Sequence, residues 1–187
     1  MTRIITLCSA TGGSGKTHIA ASLSRRLAQC GQRVAVLDAG GGEGICAALG
    51  LRAGATLKDL VVSDAALEEV LLRTPQGIDV VPGSPDTDWL QDLTPLQQQR
   101  LAEIPGLLPG GDVLLIDSCT DFAKNTLGLV LASPEILLVL TPTPAAHTDA
   151  YSMLKLLQSR GYTGSVSVVI NHVRNHIVGR HSYHRFW

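Results

Sequence analysis

Short, continuous apolar runs, each closed by a turn residue, recur along the chain: Ile4 to Leu7, Val34 to Leu37, Ile78 to Val81, Val113 to Ile116, Ile136 to Leu140 and Val166 to Ile170. Runs of this length without polar alternation read as strands buried on both faces, as in a parallel sheet. Between them the period becomes helical. Ile19, Leu23 and Leu27 line one face and Gly31 stops the pattern; Tyr151, Leu154 and Leu157 do the same ahead of Gly161. Strands alternating with helices predict an α/β fold, a doubly wound and mostly parallel sheet flanked by helices, with ligands at the carboxyl ends of the strands. Ser84 to Gly111 is less regular. Thr94 and Pro95 there form a helix start, with the helix expected to run to about Glu103. No linker or repeat divides the chain, which reads as a single domain over residues 1–187 with a basic, His- and aromatic-rich tail from about residue 172.

The first strand runs into Cys8 to Thr17, C-S-A-T-G-G-S-G-K-T, and then into the first helical pattern. A glycine-rich turn between strand and helix aims successive backbone N–H groups at one spot, and the helix N-terminus adds partial positive charge there. This is the chemistry of a phosphate cradle. Gly12, Gly13, Ser14, Gly15 and His18 would contribute to the cradle, Lys16 would reach the terminal phosphates, and the Thr17 hydroxyl would bind Mg²⁺. The P-loop pattern G-x-x-x-x-G-K-[ST] is met at Gly15, Lys16 and Thr17, with Ala10 at its first glycine.

Two further strands end in carboxylates, Asp38 and Asp117. A hydrophobic run followed by Asp beside a P-loop is the pattern that holds Mg²⁺. Lys16, Asp38 and Asp117 are therefore the expected catalytic groups, and Thr17 and Asp117 the metal ligands. Asn171 follows the last apolar run, placed to read a base edge or to form a turn. The guanine-reading N-K-x-D pattern is absent, since His172, Val173 and Arg174 follow Asn171, so ATP is the expected nucleotide.

Taken in order, these segments resemble the MinD/ParA family of deviant-Walker ATPases, and within it the flagellar-number branch FleN/FlhG. The likeness rests on G-G-S-G-K-T, V-A-V-L-D-A ending its acid at Asp38, L-T-P-L-Q-Q-Q from Leu93, V-L-L-I-D-S at Asp117, and T-D-A-Y from Thr148 to Tyr151. It implies a cytoplasmic Mg-ATP-binding switch that pairs face to face as a homodimer and acts through a protein partner in flagellar or cell-surface organisation, peripheral at the inner membrane through that partner. It implies Asn171 as an adenine contact. Two positions depart from the family pattern: Thr11 stands where a lysine crosses to the partner's nucleotide, and Gly40 where a second aspartate positions water. Loss of a supplied cation costs roughly 10³-fold or more in phosphoryl transfer, so weak or partner-dependent hydrolysis is expected, with Glu43 and Lys124 as stand-ins. The other reading is a nucleotide-free scaffold that binds a protein or an anionic surface. Ahead of Met1 the flagellar branch's N-terminal extension is expected to be missing, and membrane cycling through a C-terminal helix is not expected to carry over.

Composition narrows this further. No apolar stretch is long enough to span a bilayer, and Met1 leads into a strand rather than a signal peptide. Cys8, Cys30, Cys46 and Cys119 lack metal-ligand spacing and read as reduced thiols. Charge is divided unevenly. All sixteen acids lie at or before Asp149, against ten Lys and Arg, whereas Ala150 to Trp187 holds five bases and no acid. That basic segment points to nucleic acid, an anionic membrane or an acidic partner. Its histidines, His172 and His176 or His181 and His184, have the spacing for a metal if helical. A tail packed on its own domain or on a partner is the simpler expectation.

Overall fold

A computed structural model describes residues 2–41, 44–109, 111–118 and 124–186. Seven strands form one sheet: β1 (Arg3–Cys8), β2 (Val34–Ala39), β3 (Leu72–Arg73), β4 (Asp79–Val81), β5 (Val113–Ser118), β6 (Glu135–Leu140) and β7 (Ser165–Ile170). Their order is β3-β4-β2-β5-β1-β6-β7, and every pairing is parallel except β3 with β4. The doubly wound sheet expected from the apolar runs is therefore present, and each predicted run lies in a strand or at its border.

Helices cover both faces: α1 (Lys16–Gln29), α2 (Gly44–Leu49), α3 (Leu57–Val62), α4 (Leu67–Val70), α5 (Pro95–Leu107), α6 (Lys124–Ala132), α7 (Pro144–Ser159) and α8 (His176–Phe186). Strand side chains alternate between faces. Val34 and Val36 of β2 and Val113 and Leu115 of β5 pack with α1 and α2, while Ala35, Leu37, Leu114 and Ile116 pack on the opposite face with α3 and α5. Asp38 and Asp117 continue the first set, so both carboxylates emerge on the α1 side. This parity places the site.

Two helical faces differ in part from expectation. The fully buried stripe of α7 is Ala146, Ala150, Met153 and Leu157, and Tyr151 is 54% exposed. Tyr151 instead lies under the Lys155 ammonium, 4.7 Å from its ring centroid. On α1 the innermost residues are Ala20, Ala21 and Ser24, flanked by half-buried Ile19, Leu23 and Leu27. On α1 these small side chains let the helix approach the sheet closely, so its large residues flank the contact, whereas Met153 and Leu157 of α7 fill theirs. The stops are as expected: Gly31 and Gly161 take left-handed φ of 83° and 73°, with the N–H groups of Gln32 and Tyr162 returning to the carbonyls of Leu27 and Leu157.

Helix α5 starts at Thr94 with a reciprocal capping box to Gln97, as the sequence predicts, but it runs on to Leu107 rather than ending near Glu103. Burial of Leu101, Ile104 and Leu108 against the core carries the chain through Pro105.

Candidate functional site

The loop between β1 and α1 is held by its own groups. Ser9 Oγ donates to the Thr11 carbonyl at 2.9 Å. Left-handed backbone falls at Gly13 (φ 70°) and Gly15 (φ 90°), where glycine is needed, and not at Ala10, which packs half-buried against the core cluster that includes Cys8, Leu138 and Leu140. Alanine at the pattern's first glycine thus fits the loop without strain. Lys16 and Ser14 are buried beneath the turn, Gly12 and His18 are exposed, and Ser14 Oγ has no hydrogen-bond partner.

Asp117 meets this loop from β5. Thr17 Oγ1 donates to Asp117 Oδ2 at 2.6 Å, while Asp117 Oδ1 is buried with no partner. Burial pushes the Asp117 carboxyl above the usual range, against the opposing pull of the Thr17 hydrogen bond and the Lys16 charge. A carboxylate oxygen left without a donor beside a threonine hydroxyl is the hard-oxygen donor set that Mg²⁺ takes. Thr17 and Asp117 therefore fit the metal role read from the sequence.

Asp38 lies directly opposite Asp117 in the β2–β5 register. Its carboxylate accepts the Gly40 N–H at 3.0 Å, together with the N–H groups of Gly41 and Ile45, and so anchors the loop that leads into α2. Burial, and secondly the Asp117 charge, push its pKa up to about 7. Near neutral pH Asp38 is therefore only partly ionised. The sequence presents Asp38 as a group facing phosphate; the structure gives it loop-anchoring bonds as well.

Gly83, which sequence reasoning passed over, closes the site behind Asp38. A Cβ there would lie 2.8 Å from Asp38 Cγ and 3.1 Å from its carbonyl oxygen. The signal was a glycine between two prolines at the carboxyl end of an apolar run. Gly40, where the resemblance expects an acid, would place a Cβ 3.2 Å from the Ser118 carbonyl. Glu43 lies outside the described residues, as does the Lys124 side chain.

Asn171 reaches the same loop from β7. Its Nδ2 donates to the Ser14 carbonyl at 2.8 Å, and it sits so close over Gly15 that a Cβ there would come within 2.3 Å. Its backbone N–H donates to Leu140, and His172 follows at φ 55°. Asn171 thus braces the phosphate loop. A groove of about 910 Å³ opens beside it, between Gly13–His18, Ile19, Leu23, Leu137, Asn171 and His172. The tail histidines do not assemble a metal centre: among the described residues no group of three or more His, Cys, Asp or Glu is placed to hold one.

A family model described as the CobQ/CobB/MinD/ParA nucleotide binding domain matches residues 5–182. The chain belongs to this family. Among curated relatives of this MinD/ParA-type domain, it is 34% identical over 157 residues to the antiactivator FleN of Pseudomonas aeruginosa, covering 83% of this chain and 56% of that protein. It is 26% identical over 188 residues to the flagellum site-determining protein YlxH of Helicobacter pylori, covering 100% of this chain and 63% of that one. The MinD/ParA-type domain described here thus spans less than two thirds of the length of either relative. The septum site-determining protein MinD of Pyrococcus horikoshii, solved in complex with Mg-ADP, superposes with a TM-score of 0.77 at 26% identity, over 94% of this chain and 72% of that one.

Proposed function

We propose that the chain is an ATP-binding regulatory switch of the MinD/ParA type, which acts through a protein partner in flagellar placement or number and signals by nucleotide occupancy more than by rapid turnover. The observation that carries this is the Thr17–Asp117 hydrogen bond with its orphaned carboxylate oxygen, set beside buried Lys16 at the start of α1. The Mg-ADP complex of the related MinD supports the nucleotide, and the flagellum site-determining name of YlxH, with the antiactivator name of FleN, supports a regulatory role in that process.

Bound Mg-ATP would bring its own polarised γ-phosphate and metal charge. The chain's residues hold and orient it: backbone N–H groups from Gly12 to Thr17 cradle phosphate, Lys16 offsets its charge, and Thr17 and Asp117 hold the metal. Asp38 fixes the loop that faces the phosphates. Two losses weaken hydrolysis. Thr11 supplies no cation across a dimer, and Gly40 supplies no carboxylate for water. The fit of Ala10 in the loop weighs against a nucleotide-free scaffold. The switch would work in the cytoplasm, reaching the inner membrane through its partner; among the described residues no helix is long and apolar enough to cross a membrane.

Phosphate release under multiple-turnover conditions tests the low-turnover part. Release slower than about 10⁻² per second is expected. Fast turnover that is lost in Lys16→Ala would overturn it.

A further inference from the structure

The carboxyl end of β6 leads through Pro142 and Thr143 into α7, and α8 lies alongside. Between them is a cavity of about 690 Å³ lined by Pro142, Pro144, His147, Ile177, Arg180 and Arg185, with further residues of α8. Its floor is a polar lock, His147 Nε2 to Ser182 Oγ at 2.7 Å, with the Phe186 ring 5.8 Å from the His147 ring. Burial, and then the Arg185 charge, hold the His147 pKa below its ordinary value. That favours the neutral ring that this bond accommodates.

The rim is different. Among the described residues no carboxylate lines the cavity, and Arg180 and Arg185 have no ion pair there. Ile177 (66% exposed) and Val178 present apolar surface beside these two guanidinium groups. Cationic and apolar groups thus share one concavity, and α8, which supplies both arginines, carries no acid of its own.

We infer that the α7–α8 cavity docks an acidic, amphipathic segment of a protein partner, its carboxylates on Arg180 and Arg185 and its apolar side chains against Ile177, Val178 and the prolines. Charge complementarity selects the sign, and Arg forks suit carboxylates. Concavity selects the class. A bilayer would need a flat or protruding apolar face, and nucleic acid a longer basic track than two arginines. This names the partner chemistry of the switch proposed above and rests on that reading for its consequence.

The test is fluorescence anisotropy of the whole chain with a labelled helical peptide of leucine, alanine and glutamate, beside its glutamine counterpart. Saturable binding of the glutamate peptide, at least about tenfold tighter than the glutamine peptide and lost in Arg180→Glu/Arg185→Glu, is expected. Arg180→Gln/Arg185→Gln, which removes charge without adding repulsion, should weaken it in the same direction, with circular dichroism unchanged. Equal binding of the two peptides, or binding unchanged in both variants, would overturn the inference. So would preference for phosphatidylglycerol vesicles or tRNA over the peptide. Titrating the same preparations with a non-hydrolysable ATP analogue separates the two readings. Nucleotide binding without peptide binding overturns only this one, and peptide binding without nucleotide binding overturns only the switch.

Discussion

Asp38 and Asp117 are read from the sequence as strand-end acids, and their common parity with Val36 and Leu115 sends both to the P-loop side of the sheet. What the sequence does not carry is their cost. Asp38 has a folded pKa raised to about 7, above its unfolded value near 4, so the stability linked to it is full below about pH 4 and is lost as pH rises through 7. Asp117 shifts in the same direction. Urea melts of the nucleotide-free protein should therefore show stability falling between about pH 4 and 7, on the order of pKa-shift energies, and Asp38→Asn should flatten that slope. Gly83→Ala belongs to the same scale. Its Cβ would meet Asp38 at 2.8 Å, so the variant should lose about 1–3 kcal/mol in denaturant melts and bind nucleotide more weakly. The glycine between prolines marked a turn at Gly83, but its contact with Asp38 was not legible, because only the fold brings the end of β4 against β2.

Elements with strong local signals were legible to within a few residues, as α1 with its Gly31 stop and α5 with its Thr94 cap illustrate. The short pieces α2, α3, α4 and β3 were not. These four rest on tertiary contact, such as Ile45 and Cys46 against the sheet or Arg73 paired with Asp79, more than on local pattern. Asn171 lies between these cases: its position after β7 was read correctly, but its hydrogen bond to Ser14 depends on loops 157 residues apart in sequence. Asn171→Ala removes one donor bond from the phosphate loop. A loss of about 1 kcal/mol, roughly five- to tenfold in nucleotide affinity, is expected by calorimetry, with thermal stability little changed.

At the scale of the whole molecule, the doubly wound sheet concentrates the carboxyl ends of β1, β2, β5 and β7 at one edge, where Lys16, Asp38, Asp117 and Asn171 meet although they are distant in sequence. The apolar runs made this edge predictable. The direction of the α8 side chains was not, because nothing local says that Ser182 turns inward to His147 while Arg180 and Arg185 stay at the rim. A working phosphate loop underlies the switch. Its most direct test is calorimetric titration of the purified chain with Mg²⁺ and a non-hydrolysable ATP analogue, beside Lys16→Ala. Saturable binding that falls at least about a hundredfold in the variant is predicted. No binding at millimolar nucleotide, or binding indifferent to Lys16, would contradict the account.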